Sequence, residues 1–289
     1  MREHEYLKLR FSGLTTHQIH QLLRCNPSFL DYDQVEQNHE LKQFLSTLKT
    51  KRKAEIYKQY LNIEVKNIIT LLRQWNLKYI SIEQSTYPIL LREIYEPPLI
   101  LFYKGKLSLM QSPQTLAIIG SRHATEYSQK ALNFLFPSFK KGNLTIISGL
   151  AKGADKMAHE HALSMNMSAI AVLGFGHLQH YPKETFEIRK RLESEGLVVS
   201  EYLPFQRPQK HHFPERNRII SGLSKGVLIT ESKANSGTCI TTNFALEQNR
   251  EAYVLPGSIF NPMTEGNLLS AQEGAKIVLK ASDILINYN

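Results

Sequence analysis

LTIISGLAKGADKMAHEHAL, residues 144–163, decides the fold class. It opens on a short apolar run rich in Ile. Ser148 and Gly149 then start a turn, Gly153 lies further along it, and a helical stretch follows. Strand, glycine turn and helix in that order make half of a right-handed βαβ unit. Working outward, apolar runs recur at residues 116–119, 169–173, 197–199, 227–229 and 252–255, alternating with amphipathic stretches. Strands that are apolar nearly throughout fit a parallel sheet covered on both faces. The expected architecture is an open, doubly wound, mostly parallel α/β sheet with ligands at the carboxyl ends of its strands.

Ahead of this region the texture differs. Residues 1–65 are rich in Leu, Gln, Lys and Glu, with one glycine, Gly13, and one proline, Pro27. Ile19, Leu22 and Leu23 recur at helical spacing, as do Leu41, Phe44, Leu45 and Leu48, which predicts a small bundle of short helices. Residues 66–112 read as a connector with a helix over 68–75, a strand over 79–82 and a strand over 99–103, broken by Pro88, Pro97 and Pro98. The large domain is then 113–289.

Hydrophobic residues make up 42% of the 289, enough for a substantial core. Lys and Arg total 35 against 26 Asp and Glu, and a net charge of +9 suits a polyanionic partner. No apolar run reaches membrane-spanning length and the charged N-terminus is no signal peptide, so a cytoplasmic protein without membrane insertion is expected. Two lone cysteines, Cys25 and Cys239, make neither a disulfide framework nor a zinc site, and both are expected to pack.

The strand ends carry the candidate site. The first closes on Gly120, Ser121 and Arg122. Glycine permits the turn, Ser121 and the following helix start can hold an anionic oxygen, and Arg122 adds a fixed charge. The second closes on Ser148 and Gly149, with Lys152 nearby. Lys183 follows a Tyr-Pro pair after the third, and lines the cleft or is simply solvated. The most informative stretch is KHHFPERNRIISGLS, residues 210–224. Lys210, Arg216 and Arg218 can neutralise phosphates, Phe213 can stack on a base, and Asn217 sits among them; single-strand binders combine such groups. Finally Asn235, Ser236, Gly237 and Thr238 precede a helix and make another anion site. Several such sites along one edge suit a chain of phosphates. Five basic groups on phosphates would give a log–log salt slope of roughly −3 to −4, at about −0.7 per contact.

Catalytic signals are weak. His159 and His161 stand two apart, on nearly opposite helix faces, and His211 and His212 are adjacent, so neither pair shares a metal. No GxSxG elbow, GxGxxG fingerprint or Walker motif is present, and no cofactor or metal is expected. Glu231 ends a strand at the cleft, where it reads either as a catalytic carboxylate or, as the expectation, as the partner of a nearby arginine.

At these residues the sequence resembles the DNA-processing protein A (DprA/Smf) family. The likeness runs through YPILLREIYEPPLILFYKG (87–105), IIGSR (118–122), SGLAKGADKMAHEHAL (148–163), AVLGFG (171–176), YPK (181–183), FPERNRIISGLSKGVLITES (213–232), SGTCITTNFALEQNREAYVLPG (236–257) and EGA (273–275). It departs at Ser128, at His177–Gln179 and at Thr185, where members often carry Gly, GLD and Asn. The resemblance implies an extended Rossmann-like domain behind a small all-α domain similar to a sterile-alpha-motif (SAM) fold. It implies a homodimer that binds and protects single-stranded DNA and loads RecA recombinase onto it in natural transformation, with no enzymatic activity. It implies phosphate contacts from Arg122, basic pocket residues at Lys183 and Lys210, and a base contact from Phe213 beside Arg216, Asn217 and Arg218. The C-terminal winged helix of many members is not expected in this chain. Leu268, Leu269 and Ile277 are candidates for the dimer surface, though core packing is the expectation for each. The rival reading is a phosphoribohydrolase-like enzyme of the same fold, whose PGGxGTxxE motif is ANSGTCIT here, with Thr241 where the acid would fall. A structural adaptor that binds no DNA is the third.

Overall fold

Helices cover the sheet on both faces, and this is why its strands are apolar throughout. The computed structural model describes residues 2–234 and 236–288. In chain order the strands are β1 (Lys78–Ser81), β2 (Ile100–Gly105), β3 (Thr115–Ile119), β4 (Thr145–Ser148), β5 (Ala169–Leu173), β6 (Leu197–Ser200), β7 (Gly226–Ile229), β8 (Glu251–Val254) and β9 (Lys276–Ile277). They form one sheet in the order β1-β2-β6-β5-β4-β3-β7-β8-β9. Every pairing from β6 to β9 is parallel. β1 and β2 extend the sheet antiparallel beyond β6. All six predicted runs of the large domain are strands, and the doubly wound α/β expectation holds.

The helices are α1 (Arg2–Phe11), α2 (Thr16–Cys25), α3 (Gln34–Thr47), α4 (Lys53–Asn62), α5 (Val65–Gln74), α6 (Ile89–Arg92), α7 (Glu126–Lys141), α8 (Ala154–Ser164), α9 (Phe186–Glu195), α10 (His212–Gly222), α11 (Gly237–Glu247), α12 (Glu265–Gln272) and α13 (Ser282–Leu285). Side chains alternate across each strand. Leu116 and Ile118 of β3 pack with Leu132, Phe136 and Phe139 of α7. Ala117 and Ile119 face the other way, with Ile219, Ile220 and Leu223 at α10. From β3 the chain winds outward through β4, β5 and β6, then returns past β3 to β7, β8 and β9. The winding reverses between β3 and β7, where a doubly wound sheet opens a crevice.

The N-terminal helices form their own core, with Ile19, Leu22, Leu41, Phe44 and Leu45 buried as the spacing predicts. Thr15 and Gln18 cap α2 reciprocally, each side chain bonding the other's backbone N–H. Ile68 and Leu72 of α5 join this core, as do Ile100 and Phe102 of β2. The 66–112 stretch therefore fastens the helices to the sheet edge. A buried charge cluster reinforces the seam. Arg10 donates to the Leu14 and Glu201 carbonyls at 2.6 and 3.1 Å. Arg218 grips the Glu201 carboxylate at 2.7 and 2.6 Å.

Two packing expectations fail. Cys25 is exposed, because it sits at the outer end of α2; the side chain of Cys239 lies outside the described residues. Leu269 and Ile277 are half exposed, because α12 shows its outer face and β9 is a two-residue edge strand. Among the described residues no helix is long and apolar enough to cross a membrane.

Candidate nucleic-acid interface

A cavity of about 430 Å³ opens at the point where the winding reverses. The loop after β3 gives it Gly120, Ser121 and Arg122. The start of α10 gives it Lys210, Phe213, Arg216 and Asn217, and the segment leading into α11 gives it Ser236, Gly237 and Thr238. Ten predicted residues thus meet at one site, although they come from three separate stretches of chain. A narrower crevice beside it is lined by Arg122, Gly149, Lys152, Tyr181 and Phe213.

Phe213 stands where the two meet, half buried in the first turn of α10. Gly174 lets it approach the end of β5, since a Cβ there would lie 3.0 Å from the ring. The Arg122 guanidinium stands 5.3 Å from the ring centroid, and the Tyr181 ring lies 5.8 Å away. An aromatic face beside a guanidinium is suited to a base and its phosphate together. Arg122 and Lys210 are exposed and, among the described residues, neither makes an ion pair.

Glu231 is not paired with an arginine. Its buried carboxylate accepts from Thr125 N at 2.6 Å, Thr125 Oγ1 at 2.8 Å and Ser128 Oγ at 2.6 Å. Its own carbonyl accepts from Ser121 N at 2.7 Å. A carboxylate at a helix N-terminus is favoured by the helix dipole, so Glu231 already fills the anion position at the start of α7. Ser121 Oγ accepts the His123 N–H. The first glycine turn consequently presents Arg122 and does not cradle phosphate with its own helix start. Ser128, one departure from the family pattern, donates to Glu231. The start of α11 is more open: Gly237 is exposed, and a Cβ there would meet nothing within 4 Å. Ser236 Oγ lies 2.9 Å from Ser232 Oγ. Asn235 lies outside the described residues.

Several predicted ligands serve the fold. Ser148 is buried and donates to the Ile118 carbonyl at 2.6 Å. Gly149 donates to Asp155 Oδ2 at 3.1 Å, and its carbonyl accepts from Arg216 at 2.5 Å. Arg216 is buried and also donates to the Val172 carbonyl. Although it borders the cavity, its charge faces Asp155. Burial pushes the Asp155 carboxyl up, against the pull of Arg216. Lys152 pairs with Glu184, which holds its ammonium above the usual range. Lys183 is exposed and lines neither crevice. Arg218 points into the seam with Glu201 and stays out of the cleft, because two residues along a helix turn a side chain by roughly 200°. Sequence reasoning missed Tyr181 and Lys233. The first had a signal in its Tyr-Pro step beside a strand end; the second lines the cavity with no motif to mark it.

The family model described as DNA recombination-mediator protein A matches residues 78–289. DNA processing protein DprA of Streptococcus pneumoniae is 35% identical over 285 residues, covering 99% of this chain and 98% of that protein. Its Bacillus subtilis counterpart is 37% identical over 217 residues, 75% of this chain and 73% of that one. The X-ray structure of DNA processing protein A from S. pneumoniae superposes with a TM-score of 0.86 at 35% identity, covering 99% of this chain and 98% of that one. A structure of DNA processing protein A from Helicobacter pylori, described for its single-stranded DNA binding mode, aligns with a TM-score of 0.65 at 27% identity, covering 72% of this chain and 94% of that one.

Proposed function

The chain belongs to the DNA recombination-mediator protein A family, and from that premise we propose that it binds single-stranded DNA without sequence specificity in the cleft between β3 and β7. The observation that carries this reading is the exposed Arg122 above the half-buried Phe213, beside Lys210 on an open cavity. A base enters against Phe213, which a duplex would keep stacked and paired. Arg122 and Lys210 neutralise the flanking phosphates, and Lys183 adds charge at the approach. With Arg216 and Arg218 engaged by the protein, about three phosphate contacts remain, so the log–log salt slope is roughly −2 and shallower than five cations would give.

The reading extends to protection of the strand and to loading of RecA in transformation and recombination, by a cytoplasmic homodimer. Half-exposed Leu269 and Ile277 beside the β9 edge are consistent with a self-complementary surface. A binding role without catalysis is supported by the acids at the site. Glu231 is bound to the α7 start, and Asp155, which borders the cavity, is held by the Gly149 and Ala151 N–H groups.

Fluorescence anisotropy with a labelled oligonucleotide, single-stranded and then duplex, across a salt series tests this. The expected result is salt-sensitive preference for the single strand, lost in Lys210→Ala and Phe213→Ala. Equal binding to duplex, or none at low salt, would refute it.

A further inference from the structure

The loop from β8 to α12, residues 256–264, lies at the same carboxyl edge as the cleft, since β7 and β8 are parallel neighbours. Two of its side chains are turned out to solvent: Ile259 is 79% and Phe260 88% exposed. Their backbone is firmly held. Thr264 Oγ1 donates to the Ser258 and Asn261 carbonyls at 3.1 Å each, Phe260 N to Ser258 Oγ at 3.2 Å, and Met263 N to Asn261 Oδ1 at 2.9 Å. At its base, buried Asn267 donates to the Thr230 and Leu255 carbonyls, joining the ends of β7 and β8. One exposed apolar residue is ordinary, but an adjacent large pair on a pinned loop marks a surface built for contact.

The loop continues the cleft. Ser232 N donates to the Met263 carbonyl at 2.8 Å, next to the cavity-lining Lys233. Tyr127, in the first turn after the Arg122 loop, donates to the Pro256 carbonyl. Residues 252–263 contain no acid that would repel a phosphate chain. Phe213 stands at the end of β5 and Phe260 beyond β8, with Arg122 between them. Four strand spacings separate β5 from β8, roughly 19 Å at about 4.8 Å each, within the reach of a short single strand.

We propose that Ile259 and Phe260 form a second stacking platform, which takes a base of the same single strand whose other base sits on Phe213. This rests on the reading of the cleft as a single-strand site. Bases suit such a platform because any exposed base offers an aromatic face regardless of sequence.

The test compares Phe260→Ala with Phe213→Ala on oligothymidylates of about 4 and about 16 nucleotides. Phe213→Ala is expected to weaken both. Phe260→Ala is expected to weaken only the longer one, by about fivefold or more, with melting temperature and molar mass unchanged. Phe260→Trp in a Trp75→Phe background supplies a direct readout, its fluorescence quenched by the longer strand. If Phe213→Ala loses affinity while Phe260→Ala loses none and the tryptophan is not quenched, the second platform alone is wrong. If Phe213→Ala loses nothing, the cleft reading falls and takes this one with it. If Phe260→Ala alters the molar mass by light scattering but not DNA affinity, the pair belongs to a protein interface and the proposal is overturned.

Discussion

The seam between the helices and the sheet, and the cleft at the sheet's carboxyl edge, both use arginine, and they use it in opposite ways. In the seam buried Arg10 and partly buried Arg218 converge on buried Glu201, one at its carbonyl and the other at its carboxylate. In the cleft Arg122 and Lys210 stay exposed, with the Arg122 guanidinium over the Phe213 ring and neither cation in an ion pair among the described residues. The same residue type therefore holds two layers together in one place and awaits an anion in the other. Helical phase and the presence of a buried acid decide which.

The largest effect that could break this contrast is on stability. Arg218→Ala leaves the Glu201 carboxylate buried without its partner, a loss of roughly 3–5 kcal/mol. Urea denaturation should show it as a lower midpoint. A change under about 0.5 kcal/mol, the size of an ordinary surface substitution, would place Arg218 with the ligand-facing cations after all.

Acid probes what lies behind both regions. Burial, aided by nearby Arg216, holds the His159 imidazole down to about 3, and burial beside Arg189 does the same for His177. These folded-state values lie below the unfolded value of about 6.5. The stabilisation is therefore fully present above that value and is lost as pH falls toward 3. Each histidine contributes a slope of about 1.4 kcal/mol per pH unit, so thermal melting between pH 7 and pH 5 should show a steep loss. His177→Asn, which does not titrate, should flatten its share; an unchanged slope would put that titration elsewhere. Smaller still is Phe213→Ala, expected to cost about 1–3 kcal/mol of single-strand affinity, with little change toward duplex.

These contrasts also mark how far the sequence could be read. The six parallel strands were legible because a sheet covered on both faces requires continuous apolar runs. The antiparallel addition of β1 and β2 was not, since the partner of an edge strand is chosen by packing with the helical core through Ile100 and Phe102. At the site, Arg122, Lys210 and Phe213 were legible as a cation–aromatic set. Arg216 borders the cavity as expected but spends its guanidinium on the Gly149 and Val172 carbonyls, and Arg218 turns to Glu201; both roles depend on where α10 starts, since a shift of one residue turns each side chain by about 100°. Glu231 was rightly placed at a strand end. Its partners were hidden because Thr125 and Ser128 lie more than a hundred positions away and carry no charge that would announce the bond.

The smallest and sharpest prediction concerns Arg122. The loop that carries it is fixed by Glu231, through Ser121 N on one side and Thr125 on the other. The guanidinium itself makes no hydrogen bond to the protein among the described residues. Arg122→Ala should therefore leave stability within about 0.5 kcal/mol and change binding alone. If the side chain meets one phosphate, the log–log salt slope should become shallower by about 0.7, and affinity should fall alike for every sequence tested. Glu231→Gln keeps Arg122 but loosens its loop, because an amide replaces one acceptor oxygen with a donor. It should lower affinity as well, and in the double variant with Arg122→Ala the losses should fall short of their sum, since both act through one contact. Full additivity would mean that Glu231 holds up something other than the Arg122 loop. Equal loss of stability in both single variants would mean that Arg122, like Arg218, belongs to the fold.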